Sequence, residues 1–230
     1  MPREGPDLYP VVKGILRPAV RVFWKPTVVG MENVPTSGPA LLAANHISVL
    51  DSVFMIPTLP RRITYIGKAE YLDSWKTRVF FRGLGAIPVD RSGGRAAVAA
   101  LDAAAKVLDE GGLFGIFPEG TRTRDGFLHR GKTGVARLAM RTGAPVVPVG
   151  LRGLDMIQPP DAKFPRPFRR WEVRIGEPID PERYGPDPND NKALRAFTDE
   201  IMFEIRELSG QTYVNTYSEK GKKADATLAA

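Results

Sequence analysis

At 230 residues, 43% of them hydrophobic, the chain is long enough for one domain with a substantial core. It has no cysteine, which excludes a thiol nucleophile, a thiolate metal site and a disulfide framework, so the fold must stand on packing. A net charge of +7 and a pI near 9.7 point to an anionic partner, whether nucleic acid, lipid headgroup or phosphorylated substrate.

The first residues, MPREGPDLYP, lack an apolar signal-peptide core, and no apolar run approaches the roughly 18 residues needed to span a bilayer. A cytosolic or peripheral protein is expected. Residues 8 to 25, LYPVVKGILRPAVRVFWK, contain no acid, and Lys13, Arg17, Arg21 and Lys25 recur every fourth residue. That spacing predicts a basic helical stripe, with Val12, Ile15, Leu16, Ala19, Val22 and Phe23 mostly on the other side and Trp24 near the end. Pro10 and Pro18 are expected to start or kink helical segments. Such a segment either lies at a membrane interface, with Lys13, Arg17, Arg21 and Trp24 as its contacts, or packs its apolar face on the domain. Residues 1–28 are read as this contact segment and 29–210 as the main domain.

After a turn at VPTSGP, short apolar runs predict strands at Ala40–Ala44, Ile63–Ile66, Ala86–Val89, Leu113–Phe117, Val146–Leu151 and Trp171–Ile175. Helical patterns lie between them. Residues 92–110 have Ser92 as cap, Val98, Leu101, Ala105 and Leu108 on one face, and Gly111 past the end. Thr133 to Arg141 is shorter, and Asp190 to Leu208 turns Leu194, Phe197, Ile201, Ile205 and Leu208 inward. Alternation of strand and helix predicts an α/β fold, a mixed, largely parallel sheet covered by helices. The loop 158–170, QPPDAKFPRPFRR, interleaves bases with Phe164 and Phe168, and reads as a solvated loop or a second membrane contact. The polar, basic tail 211–230 is expected to be disordered.

Three segments carry chemistry at predicted strand ends. Asn45 to Asp51, NHISVLD, places one of only two histidines after an apolar run, with a carboxylate five residues on. Ser48 followed by Asp51 is also a helix-start pattern. FPEGTR, Phe117 to Arg122, follows the strand LFGIF and offers an acid, a base and a small hydroxyl around Gly120, which permits close backbone approach. Arg91 in GAIPVDR stands just beyond another strand, where a guanidinium can grip phosphate through two oxygens. With two histidines and no cysteine, the ligand set for a metal is poor, and none is expected. His129 reads as a loop residue.

NHISVLD, GAIPVDR, FPEGTR and Val147-Pro148-Val149-Gly150 stand in an order that resembles the glycerolipid acyltransferases of the 1-acylglycerol-3-phosphate (lysophosphatidic acid) type, often called PlsC-like. NHISVLD matches the family's NHxSxxD block completely, and the resemblance runs from about Gly30 to Gly176. Thr123 stands where many members have serine, and the second block ends VDR with Pro88, a common bacterial form. The resemblance implies transfer of an acyl group from acyl-CoA or acyl-carrier protein to the sn-2 hydroxyl of lysophosphatidic acid, giving phosphatidic acid, with no cofactor beyond the donor. It implies an acceptor pocket made by Arg91, Glu119, Gly120, Thr121 and Arg122, with the arginines on phosphate and Glu119 holding a hydroxyl or orienting an arginine.

Transfer from a thioester to a hydroxyl requires a base near the acceptor oxygen, and imidazole, with an unperturbed pKa of about 6.5, suits that task. His46 is expected to be that base and Asp51 to fix its tautomer. The oxyanion also needs donors, which backbone N–H groups at the helix start after His46 could supply, and the sequence does not single out which. An acyl-enzyme on Ser48 is disfavoured, because the chain has no G-x-S-x-G elbow and Ser48 fits a helix cap. Two alternatives keep the fold: the same chemistry on another lysophospholipid or a glycolipid, or a non-catalytic module for anionic lipid. No helix-turn-helix, RNP-like aromatic pair or basic strand with stacking aromatics argues for nucleic acid. The membrane partner is expected to be an anionic surface at the cytoplasmic face, reached peripherally. The sequence sets no oligomeric state.

Overall fold

The structure, a computed structural model, describes residues 8–68, 86–89, 96–160 and 162–218. Its centre is a seven-stranded sheet in the order β1-β8-β7-β2-β5-β3-β4. The strands are β1 (Pro26–Val29), β2 (Ala40–Ala44), β3 (Ile63–Lys68), β4 (Ala86–Val89), β5 (Leu113–Ile116), β7 (Val146–Arg152) and β8 (Trp171–Ile175). Neighbours run parallel except β7 and β8, which are antiparallel. A separate two-stranded ladder joins β6 (Leu128–His129) to β9 (Tyr213–Val214) in parallel.

Alternation along β2 divides the core. Ala40, Leu42 and Ala44 face a cluster with Phe54, Met55, Ile56, Val147, Val149 and Trp171, whereas Leu41 and Ala43 face Phe114, Leu138, Leu194, Phe197 and Ile201. α1 (Tyr9–Trp24) and α2 (Asp51–Thr58) cover the first face. α3 (Ala96–Asp109), α4 (Gly134–Thr142) and α6 (Asn191–Ser209) cover the second, and the single turn α5 (Leu154–Ile157) follows β7. α6 starts where Asp190 accepts N–H bonds from Lys192 and Ala193, and ends at Gly210 in the left-handed region. β2 and β5 are adjacent central parallel strands, so their carboxyl ends open a crevice together, the usual ligand position in such sheets.

Several expectations change. α1 is one uninterrupted helix, with Pro10 in its first turn and Pro18 within it; Pro18 and Gly14, four residues earlier, are both exposed, so the carbonyl that loses its partner faces solvent. The buried side of α1 carries Tyr9 and Val20, with Val12, Leu16 and Trp24 packed beside them, whereas Val11, Ile15 and Val22 are exposed. Ile15 and Val22 therefore belong to a second, outward apolar stripe rather than to the docked face. Val98, in the first turn of α3, is exposed, while Ala105 and Leu108 are buried. Residues 211–218, expected to be disordered, are ordered through β9 and its pairing to β6. Arg91 and Ser92 lie outside the described residues.

Candidate active site

Asn45 is the first residue past β2, and its buried amide replaces the backbone ladder that the chain is leaving. Its Oδ1 accepts from Leu151 N–H at 2.7 Å, and its Nδ2 donates to Leu151 O at 2.9 Å and Gln211 Oε1 at 2.7 Å. The main chain is thus free to turn over the ends of β2 and β5 without leaving β7 unpaired.

The turn closes on Asp51, the first residue of α2 and completely buried. Its Oδ2 accepts from His46 Nδ1 at 2.8 Å, Ile47 N–H at 2.8 Å and Ser48 N–H at 2.9 Å. Its Oδ1 has no hydrogen-bond partner among the described residues. Burial pushes the Asp51 carboxyl up from its ordinary value, against the pull of these donors. Because a carboxylate accepts at Nδ1, the imidazole proton sits there and the Nε2 lone pair is left open. The His46 side chain is 23% exposed, and Nε2 has no hydrogen-bond partner among the described residues.

One expectation for this turn is corrected and another is narrowed. α2 begins at Asp51, and Ser48 makes no N-cap bond to it. Its buried Oγ instead accepts from Leu50 N–H at 3.3 Å and lies 3.5 Å from Gln158 O. The N–H groups of Ile47, Ser48 and Leu50 are thereby committed to Asp51 and Ser48, and do not form an oxyanion hole.

FPEGTR lies across the crevice and grips His46 from behind. Glu119 is fully buried; its Oε1 accepts His46 N–H at 3.0 Å and its Oε2 accepts His129 N–H at 3.0 Å. Thr123 N–H donates to His46 O at 2.9 Å, so both backbone groups of His46 are held by this loop. Burial pushes the Glu119 carboxyl up to about 7, with the His129 and His46 N–H groups pulling the other way. A carboxylate so enclosed cannot hold a substrate hydroxyl, and the expectation that it does is replaced by a role in fixing the His46 backbone.

Gly120 turns the loop at φ +76, and a Cβ there would meet the Lys132 side chain at 3.0–3.1 Å. Thr121 and Arg122 are half-buried, and Arg122 has no hydrogen bond or ion pair with any described residue. It is available to an anion. His129 is no simple loop residue: it is nearly buried in β6, with Nε2 3.1 Å from Asp125 Oδ2 and Nδ1 3.2 Å from Thr216 O.

The structure also revises the basic stripe. Lys13 Nζ donates to Leu59 O at 2.7 Å, at the end of α2, and desolvation, then the charge of Arg17, lowers its pKa. Trp24 donates from its indole to Arg166 O at 2.8 Å and packs on Phe54 at 5.1 Å between centroids. Both hold α1 in place rather than face outward. Arg17 and Arg21 remain exposed, beside Pro57, Thr58 and Val28.

The central strand ends of this mixed, largely parallel sheet thus present an imidazole oriented by a carboxylate and a guanidinium with no partner among the described residues. The acyltransferase family model matches residues 25–152, more than half of the chain, and the chain belongs to that family. Among curated relatives, a 1-acyl-sn-glycerol-3-phosphate acyltransferase of Bacillus subtilis is 29% identical over 198 residues, covering 85% of this chain and 91% of its own. A Borreliella burgdorferi protein of the same name is 36% identical over 124 residues, covering 54% of this chain and 50% of its own. A chloroplastic one from Arabidopsis thaliana is 33% identical over 162 residues, 68% of this chain and 44% of its own. The chain thus spans about half the length of several of the curated relatives it matches. Among solved structures, the Thermotoga maritima PlsC, a 1-acyl-sn-glycerophosphate acyltransferase, superposes with TM-score 0.69 at 28% identity, covering 87% of this chain and 79% of that one.

Proposed function

We propose that the chain transfers an acyl group from acyl-CoA or acyl-carrier protein to the sn-2 hydroxyl of 1-acylglycerol-3-phosphate, forming phosphatidic acid. The observation that carries this reading is the His46–Asp51 pair, with Nδ1 held by a buried carboxylate and Nε2 open. The names of the relatives support the acceptor class.

Nε2 takes the proton of the acceptor hydroxyl as its oxygen attacks the thioester carbonyl. The tetrahedral intermediate collapses with loss of thiolate, which recovers the proton from the imidazolium. Asp51 stabilises that imidazolium through Nδ1–H, and general-base help of this kind supplies roughly 10²- to 10⁴-fold. Ser48 has no part in bond making, since its Oγ is buried in the turn. Arg122, which has no partner among the described residues, is proposed to pair with the acceptor phosphate, with Arg91 beside it. No cofactor is called for.

The acceptor and product are amphiphiles, so the site must meet a membrane. No described helix is long and apolar enough to cross one. The surface that suits a peripheral contact is the outer stripe of α1, Val11, Ile15 and Val22, together with the exposed Phe23 and the Phe168 ring that meets it, and with Phe164 of the same loop. Phe168 is 75% exposed and holds φ +59, a costly left-handed value for a bulky residue, kept by its N–H bond of 2.7 Å to Phe23 O. Arg17 and Arg21 flank this surface and suit an anionic leaflet at the cytoplasmic face.

The direct test incubates purified protein with radiolabelled acyl-CoA and a panel of lysolipids, and identifies products by mass and position. Labelled phosphatidic acid from lysophosphatidic acid is the expected product; preferential labelling of a phosphate-free glycolipid would overturn the acceptor assignment.

A further inference from the structure

Behind the imidazole stands a feature that the proton transfer does not use. Gly115 interrupts the apolar strand β5, in register with Leu42 of β2. A Cβ on Gly115 would lie 2.0 Å from Cε1 of Tyr65 and 2.5 Å from its Cζ, so the buried Tyr65 ring occupies the space a side chain at 115 would need. Phe117 stacks with Tyr65, centroids 5.9 Å apart and planes 13° apart. It also stacks with His46, at 4.1 Å and 14°. Three rings therefore lie nearly parallel, the Tyr65 ring seated on one bare position of the sheet.

We propose that Phe117, backed by Tyr65 over Gly115, is the positioning residue that sets the plane of the His46 ring and steadies its protonated form. The hydrogen bond to Asp51 fixes one ring nitrogen, but the torsion between Cβ and an imidazole is broad, and one hydrogen bond does not determine it. Stacking removes that freedom, so Nε2 keeps one direction toward the acceptor oxygen. When the proton arrives, the cation lies against an aromatic face. The titratable groups that face His46 among the described residues are Asp51 of α2 at Nδ1, Glu119 at its backbone N–H, and Tyr65 of β3 beyond Phe117. A change at Phe117 removes none of these groups.

The inference rests on His46 as the base, and its test separates the two. Phe117→Leu, Phe117→Trp and Tyr65→Leu are compared for kcat, both KM values and the pH–rate profile, and the His46 ring is followed by NMR titration. Phe117→Leu is expected to lower kcat about tenfold with each KM within about twofold. It should also move the acidic limb of the profile and the NMR midpoint about half a pH unit lower, roughly threefold in the protonation equilibrium. Phe117→Trp should recover kcat to within about threefold of wild type. Tyr65→Leu, which leaves Phe117 in place, should show the same directions at about threefold, and serves if Phe117→Leu does not fold. A Phe117→Leu protein that melts lower yet keeps kcat and midpoint would reduce Phe117 to packing and overturn the proposal; so would a Trp variant as slow as the Leu variant. If no lysolipid is acylated by wild type, the functional reading fails, while the NMR midpoint still decides the stack.

Discussion

Around His46, the backbone N–H and C=O, ring Nδ1 and ring face all have partners, supplied by Glu119, Thr123, Asp51 and Phe117 in turn. Along the outer side of α1 the reverse holds: Val11, Ile15 and Val22 are exposed, as are Phe23 and Phe168, whose rings meet at 5.9 Å between centroids, and Phe164 in the same loop as Phe168. The first region spends two buried carboxylates, at a desolvation cost, to hold one nitrogen still. The second leaves apolar area uncovered, which only another apolar phase would cover. Chemistry needs a fixed direction, whereas contact with a fluid surface needs area alone. The two regions therefore fail differently when altered.

Among the residues that hold His46, Asp51→Asn should cost most. An amide at 51 meets three N–H donors at one oxygen and can present its own N–H to the imidazole, favouring the wrong tautomer, so kcat should fall about 10²- to 10⁴-fold in a steady-state assay. Next is Glu119→Gln, whose NH₂ must face either His46 N–H or His129 N–H, donor against donor. The displaced backbone should lower kcat roughly 10- to 100-fold.

The same residue sets a pH dependence. The carboxyl ordinarily titrates at 4.5 and is pushed up to about 7 in the fold, so between these values the folded chain holds a proton that the unfolded chain has lost. Stability contributed by Glu119 is therefore greatest below about 4.5, falls as pH rises to about 7 and then levels off, a span of roughly 3 kcal/mol. Urea unfolding at pH 5 and pH 7.5 should show that slope in wild type and its loss in Glu119→Gln. An identical slope in both would assign it to another group.

Arg122→Ala should raise the KM for lysophosphatidic acid about 10- to 100-fold, the loss of one charged hydrogen bond, and leave the KM for the donor nearly unchanged. Equal rises for both substrates would move Arg122 out of the acceptor pocket. The smallest effect on chemistry belongs to the bare region. Changing Ile15, Val22 and Phe168 together to Ser should weaken sedimentation with anionic liposomes at least tenfold, while kcat on detergent-dispersed substrate stays within about twofold. Arg17→Glu with Arg21→Glu should weaken binding further only at low salt. If the charge reversals abolish binding and the apolar triple variant does nothing, the contact is electrostatic and the bare stripe is incidental.

Local patterns were legible in the sequence and remote ones were not. The boundaries of β2, β4 and β8 follow from apolar runs closed by turn residues, and the His46–Asp51 pairing follows from a spacing of five. β1 escapes such reading because Pro26 opens it and only four alternately covered residues make it; β6 and β9, at two residues each, have no period at all. Glu119 is a motif residue in the sequence, but its bond to His46 spans 73 positions, and nothing local says that the carboxylate turns inward. The Phe117 stack left one trace, the glycine inside LFGIF, which marks a close approach without naming what approaches. On α1, two apolar stripes share one helix, and periodicity cannot say which of them finds the sheet.

The most direct measurement is the single-turnover rate of labelled phosphatidic acid formation from acyl-CoA and lysophosphatidic acid, by wild type and by His46→Ala with matching melting temperature and acceptor binding. A loss of at least about 10²-fold in that rate is expected for His46→Ala, with acceptor affinity unchanged. Turnover by His46→Ala near that of wild type would contradict it.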